Sequence, residues 1–118
     1  MLFILLVVGL MWQAGSSGTV ELASPEVLAQ GETIYRENCV ACHGDNGEGN
    51  VGPALNGSAH AWHHADALLL SFIRDGIPGT QMAHQDDKLS EEEINAVISY
   101  LKSWWSPQQR QKQQSGQR

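Results

Sequence analysis

The stretch Glu37–Gly49, ENCVACHGDNGEG, holds both cysteines of the chain, Cys39 and Cys42, with His43 directly after the second. Residues three and four apart share one face of a helix, so these three side chains can address one flat object laid against the turn. Two thiols at this spacing can add to the two vinyl groups of a haem while the neighbouring imidazole coordinates its iron. C-x-x-C-H is the c-type haem attachment pattern. Three other uses compete, and each lacks something. A thioredoxin-like redox pair calls for a βαβ setting. A closed zinc shell needs two more ligands from His60, His63, His64 or His84. A disulfide across so short a loop restrains little.

An electron-carrying haem also needs a ligand on the far side of its iron, supplied from well downstream. With Met1 and Met11 assigned to the N-terminal leader, Met82 is the remaining methionine. Met is ordinarily core filler, but Met82 stands off any apolar stripe, in the loop IPGTQMAHQDDK. It is preferred over His84, two residues on, because a Met/His pair raises the potential relative to bis-His ligation. The cluster HAWHH, with His60, His63 and His64, reads as a solvated turn before a helix in preference to a copper or second haem site. A second covalent haem has no cysteines left to bind it.

Working outward, no stretch alternates with period two, and the expected fold is all-α, three to four helices with long loops. Sparse apolar residues from Pro25 to Asn38 predict one amphipathic helix. Asp66 as N-cap predicts a second over Ala67–Asp75, with Leu68, Leu69, Phe72 and Ile73 on its apolar side and Gly76 as its stop. Ser90 and Glu93 form a capping box ahead of Ile94, Val97, Ile98, Leu101 and Trp105. Between them, Gly44–Gly57 carries too many glycines for a regular element. So few apolar side chains in a body this small call for a staple, and haem is the candidate.

The 118 residues suit one domain, expected over residues 25–105. Residues 1–17 are expected to be a signal peptide or N-terminal membrane anchor, because the apolar run Leu2–Trp12 is shorter than the roughly 20 residues of a bilayer span. Residues 18–24 read as a linker, and the Gln-rich tail 106–118 as disordered. Thirteen acids face seven bases, and the part before Ser106 has a formal charge of −9. Nucleic acid is thereby disfavoured as a partner and a basic docking surface favoured.

With these features assembled, the chain resembles the class I (bacterial, small single-domain) cytochromes c over about Glu26–Trp105. The resemblance rests on GETIYRENCVACHG, with Gly31 and Tyr35 ahead of the cysteines, on GPAL at Gly52–Leu55, on Met82, and on the closing helix with Val97 and Tyr100. It implies that the first and last helices cross closely at Gly31, with Tyr35, Val97 and Tyr100 packed around it. It also implies that the Pro53 carbonyl accepts the Nδ1–H of His43. Trp62 stands either as a donor to a haem propionate or as plain packing. Unlike many relatives, the chain follows its methionine with Ala83 rather than proline.

These readings together imply one covalently bound haem c, held by Cys39, Cys42, His43 and Met82, with His43 and Met82 on the iron. The expected function is that of a monohaem one-electron carrier, not an enzyme, working as a monomer between periplasmic or membrane-bound redox partners. The alternative is a haem-bearing electron-transfer subunit of a membrane dehydrogenase or oxidase complex. Either role places the protein in the periplasm or on the outer face of the cytoplasmic membrane.

Overall fold

The computed structural model describes residues 22–116. The expected leader, residues 1–17, and residues 18–21 of the linker lie outside them. Among the described residues there are five α-helices, one 3-10 turn and no strand. In chain order they are α1 (Pro25–Asn38), α2 (Val40–His43), the turn Ala61–His63, α3 (Asp66–Asp75), α4 (Glu91–Lys102) and α5 (Pro107–Ser115). Among the described residues, no helix is long and apolar enough to cross a membrane.

Helix α1 starts where the sequence provides three cues. The Ser24 hydroxyl accepts from the Val27 amide, Pro25 stands in the first turn with its fixed φ, and Glu26 faces the positive end of the helix dipole. Helix α4 opens with the complete Ser90–Glu93 capping box. Its buried Ile94, Val97, Ile98 and Leu101 recur at the helical period. Such burial stabilises by about 1.5–3 kcal/mol per side chain, against about 1 kcal/mol for a cap, so tertiary packing holds α4 and the cap sets where it begins.

α4 packs chiefly on α1 and next on α3. The crossing with α1 is centred on Gly31, where any side chain would overlap the Ala96 carbonyl and come 2.9 Å from Tyr100 Cβ. Ile34 and the fully buried Tyr35 follow on the same face and join Val97, Ile98 and Leu101 in one core.

Three local expectations are corrected. Asp66 is the first residue of α3 rather than its N-cap; Ala65 holds that position without a side-chain bond, because the Asp66 carboxylate is engaged by Lys102 and Gln113 at 2.7 Å each. Leu68, expected on the apolar side of α3, is exposed, while Leu69 and Ile73 are buried. The Gln-rich tail expected as disordered forms helix α5, raising the helix count above three or four. Pro107 starts it, and Ser106 and Gln109 make a second capping box. Its packing is polar: Gln109 donates to the Gly57 carbonyl at 2.9 Å, and Gln113 to the His64 carbonyl at 3.0 Å. Glutamine amides thus satisfy loop carbonyls that no helix or sheet ladder reaches.

Candidate haem site

The chain breaks helix at Cys39 (φ −120°, ψ −26°) and re-forms it at once as the single turn α2. The Cys39 carbonyl accepts from the His43 amide at 2.9 Å, so Cys39 and His43 lie one turn apart and Cys42 falls between them. The three residues are brought together by local geometry alone. Both thiols are free. Cys42 is exposed and Cys39 half-buried, and burial, with Cys42 nearby as a smaller cause, pushes the Cys39 thiol up to about 11. A reactive redox cysteine needs the opposite shift. Among the described residues, the metal-competent grouping of three is His84, Asp86 and Asp87, on the surface and without a cysteine. The zinc and redox readings therefore lose their support.

His43 is 8% exposed, and its Nδ1 lies 2.7 Å from the Pro53 carbonyl. A carbonyl can only accept, so Nδ1 carries the proton, and the neutral tautomer this selects has its lone pair on Nε2. Such a bond fixes the tautomer and raises the basicity of the other nitrogen. The ring is also held from its side: a Cβ on Gly52 would come 2.8 Å from His43 Cε1 and 3.1 Å from Nδ1. The loop reaches this contact through Gly49 N–H to the His43 carbonyl at 2.8 Å and Gly52 N–H to the Cys42 carbonyl at 2.7 Å. The Gly-rich segment is thus a wrap fastened to the turn that carries Cys39, Cys42 and His43.

Met82 is half-buried. Like Cys39, Val40, Leu55, Trp62 and Leu70, it packs against the central core. Its loop is anchored by the Met82 carbonyl accepting from Ile77 N–H at 3.3 Å and by Gln85 N–H reaching the Ile73 carbonyl at 3.1 Å. His84 is directed elsewhere: it is exposed, with Nδ1 on the Asp86 carboxylate at 2.5 Å. That hydrogen bond, followed by the charges of Asp86 and Asp87, raises its pKa and keeps the ring on the surface carboxylates.

Of the remaining histidines, His60 and His63 are exposed on the 3-10 turn with rings 5.2 Å apart, and His64 meets Phe72 edge-on at 5.7 Å. Trp62 stacks on His63 at 3.8 Å, and Lys112 of α5 lies 5.9 Å over its ring. Sequence reasoning missed the Tyr35 hydroxyl, which donates to the Gly44 carbonyl at 2.6 Å. The available signal was a tyrosine where the packing alone asks for phenylalanine. It also missed the Trp105 indole, which donates to the Leu55 carbonyl at 2.9 Å.

The residues present fit a covalently attached haem. Two free thiols and an imidazole with one tethered nitrogen share a turn, a glycine leaves the histidine ring its space, and partly buried apolar side chains lie on the adjoining core. An all-helical domain with this site is a c-type cytochrome domain, a class whose cofactor is one covalently attached haem c. The family model described as cytochrome c oxidase, cbb3-type, subunit III matches residues 26–101, and the chain belongs to that family.

Among its relatives, the cbb3-type cytochrome c oxidase subunit FixP of Bradyrhizobium diazoefficiens is 37% identical over 78 residues, covering 64% of this chain and 27% of that protein. Cytochrome c55X of Paracoccus denitrificans is 30% identical over 87 residues, covering 72% of this chain and 84% of the other. The crystal structure of cytochrome cL from Methylophaga aminisulfidivorans superimposes with a TM-score of 0.64 at 28% identity, over 75% of this chain and 61% of that one. The chain spans only about a quarter of the FixP-type relatives it matches.

Proposed function

We propose that this chain is a one-electron carrier in which Cys39 and Cys42 hold the haem through thioethers and His43 and Met82 ligate its iron. The observation that carries the reading is the His43–Pro53 hydrogen bond, which presents a lone pair on Nε2 from the same turn that presents two free thiols. The bound haem supplies reversible one-electron chemistry between ferric and ferrous iron. His43 and Pro53 set the basicity of one ligand, and the anchored 77–85 loop presents the other. With both ligands in place no position is open to oxygen or peroxide, so the role is transfer and not catalysis.

The acidic body, with its formal net charge of −6 for the whole chain, suits a basic redox partner whose association slows as salt is added. The apolar run Leu2–Trp12 favours export, to the periplasm or the outer face of the cytoplasmic membrane. The oxidase-subunit description of the family favours a second reading, a haem-bearing subunit of a membrane oxidase or dehydrogenase complex. Retention in the membrane fraction after a salt wash would distinguish it from the free carrier. The primary test is intact mass together with haem staining of the denatured protein. One haem of added mass is expected, and its absence removes the proposal.

A further inference from the structure

The Tyr35 side chain has no access to solvent and lies within the α1–α4 crossing. Phenylalanine would fill the same volume, and a buried hydroxyl left unpaired costs about 1–3 kcal/mol. The hydroxyl is paired, by a short 2.6 Å bond to the carbonyl of Gly44, the residue directly after His43. Gly44 itself has φ +87°, a backbone state that side chains disfavour and that glycine leaves soft. The tyrosine ring is held edge-on to Trp104 at 5.2 Å and tilted against Tyr100 at 5.7 Å. A rigid donor in the helix crossing therefore pins a pliable peptide at the exit of the haem turn.

We infer that Tyr35 is a positioning residue for His43, acting through the Gly44 carbonyl. The inference rests on the proposed role of His43 as iron ligand. Beyond Gly44 the chain returns to His43 twice, at the backbone by Gly49 N–H and at the ring by Gly52 and the Pro53 carbonyl. The register of that return depends on the direction in which Gly44 sends the chain. Releasing Gly44 lengthens the Nδ1–H to Pro53 bond, lowers the basicity of the imidazole, and withdraws support from the more highly charged ferric state.

The test is Tyr35→Phe in the full-length haem-bearing protein, read by equilibration with a reference redox dye and by the NMR position of the His43 Nδ1 proton in the reduced state. The expected result is an approximately threefold shift of the equilibrium toward the ferrous form, equal to about 28 mV at 59 mV per tenfold for one electron, with a displaced Nδ1 proton resonance. Tyr100→Phe, a change in the same ring cluster, should leave both readouts in place. An unchanged potential and resonance in Tyr35→Phe overturns the inference, as does an equal shift in Tyr100→Phe.

Should Tyr35→Phe fail to accumulate, Tyr35 can be altered without losing its hydroxyl. The chain has two tyrosines, so a fluorinated tyrosine incorporated into Tyr100→Phe protein changes Tyr35 alone. A more acidic phenol is a stronger donor, and the shift should then run toward the ferric form; no shift refutes the inference. A protein lacking the added mass of haem defeats the parent proposal instead, and a haem-bearing protein with an unmoved potential defeats only this one.

Discussion

Gln113, only 4% exposed, donates its side-chain amide to the His64 carbonyl at 3.0 Å and to the Asp66 carboxylate at 2.7 Å. Lys102 reaches the other oxygen of the same carboxylate, so one acidic side chain joins α3, α4 and α5. Replacing Gln113 with alanine takes one donor each from a partly buried carbonyl and a partly buried carboxylate. A loss of about 1–3 kcal/mol is expected in denaturant unfolding of the haem-bearing protein. A change below about 0.5 kcal/mol, the range of ordinary surface substitutions, would show that α5 does not brace the domain.

Gly31→Ala tests the helix crossing. The new methyl group would overlap the Ala96 carbonyl, which cannot yield as a flexible side chain can. Separation of α1 from α4 should lower stability by about 1–3 kcal/mol. Thr33→Ala, on the exposed side of α1, should stay within about 0.5 kcal/mol by the same measurement.

Alkaline stability should depend on Tyr35. Burial first, then the neighbouring Cys39 and Glu48, push its phenol from 10.0 up to about 12. Below the ordinary value both folded and unfolded chains keep the proton, and stability is whole. As pH rises from about 10 toward about 12 the unfolded chain ionises first and stability is lost, by at most about 1.4 kcal/mol per pH unit and by less where Cys39 is a thioether and carries no charge. Unfolding free energies measured across that window should fall more steeply for the natural protein than for Tyr35→Phe; parallel curves would contradict this.

Met82→Ala should abolish the weak Met-to-iron charge-transfer band in the far red and lower the potential, while His84→Ala leaves the band in place. The basis is the contrast between a half-buried thioether on the core cluster and an exposed imidazole held by Asp86. Retention of the band in Met82→Ala would reassign the sixth ligand.

Much of the turn that carries Cys39, Cys42 and His43 was legible because its information is local. Cys39, Cys42 and His43 meet by helical spacing, and the starts of α1 and α4 are written in Ser24–Pro25 and Ser90–Glu93. The helix period likewise exposed the core residues Ile94, Val97, Ile98 and Leu101. Helix α5 was missed for a physical reason: its inward residues are glutamines, and composition marks glutamine as solvated. They turn inward because carbonyls from Gly57 and His64 lie opposite, about fifty residues away in the chain. Asp66 was misjudged on the same account, since its partners Lys102 and Gln113 lie 36 and 47 residues on.

By itself, the sequence determined that Cys39, Cys42 and His43 share one turn and that the fold is helical, because spacing and caps act over a few residues, while the glycine at the α1–α4 contact was implied by the family resemblance. The tertiary structure alone decided that the tail is a brace and that the Tyr35 hydroxyl holds Gly44. It also showed His84 held by Asp86 while Met82 packs on the core. The brace and the packing of Met82 depend on partners or surfaces that exist only once distant parts of the chain have met, whereas the His84–Asp86 contact is local and is set by the conformation of its loop.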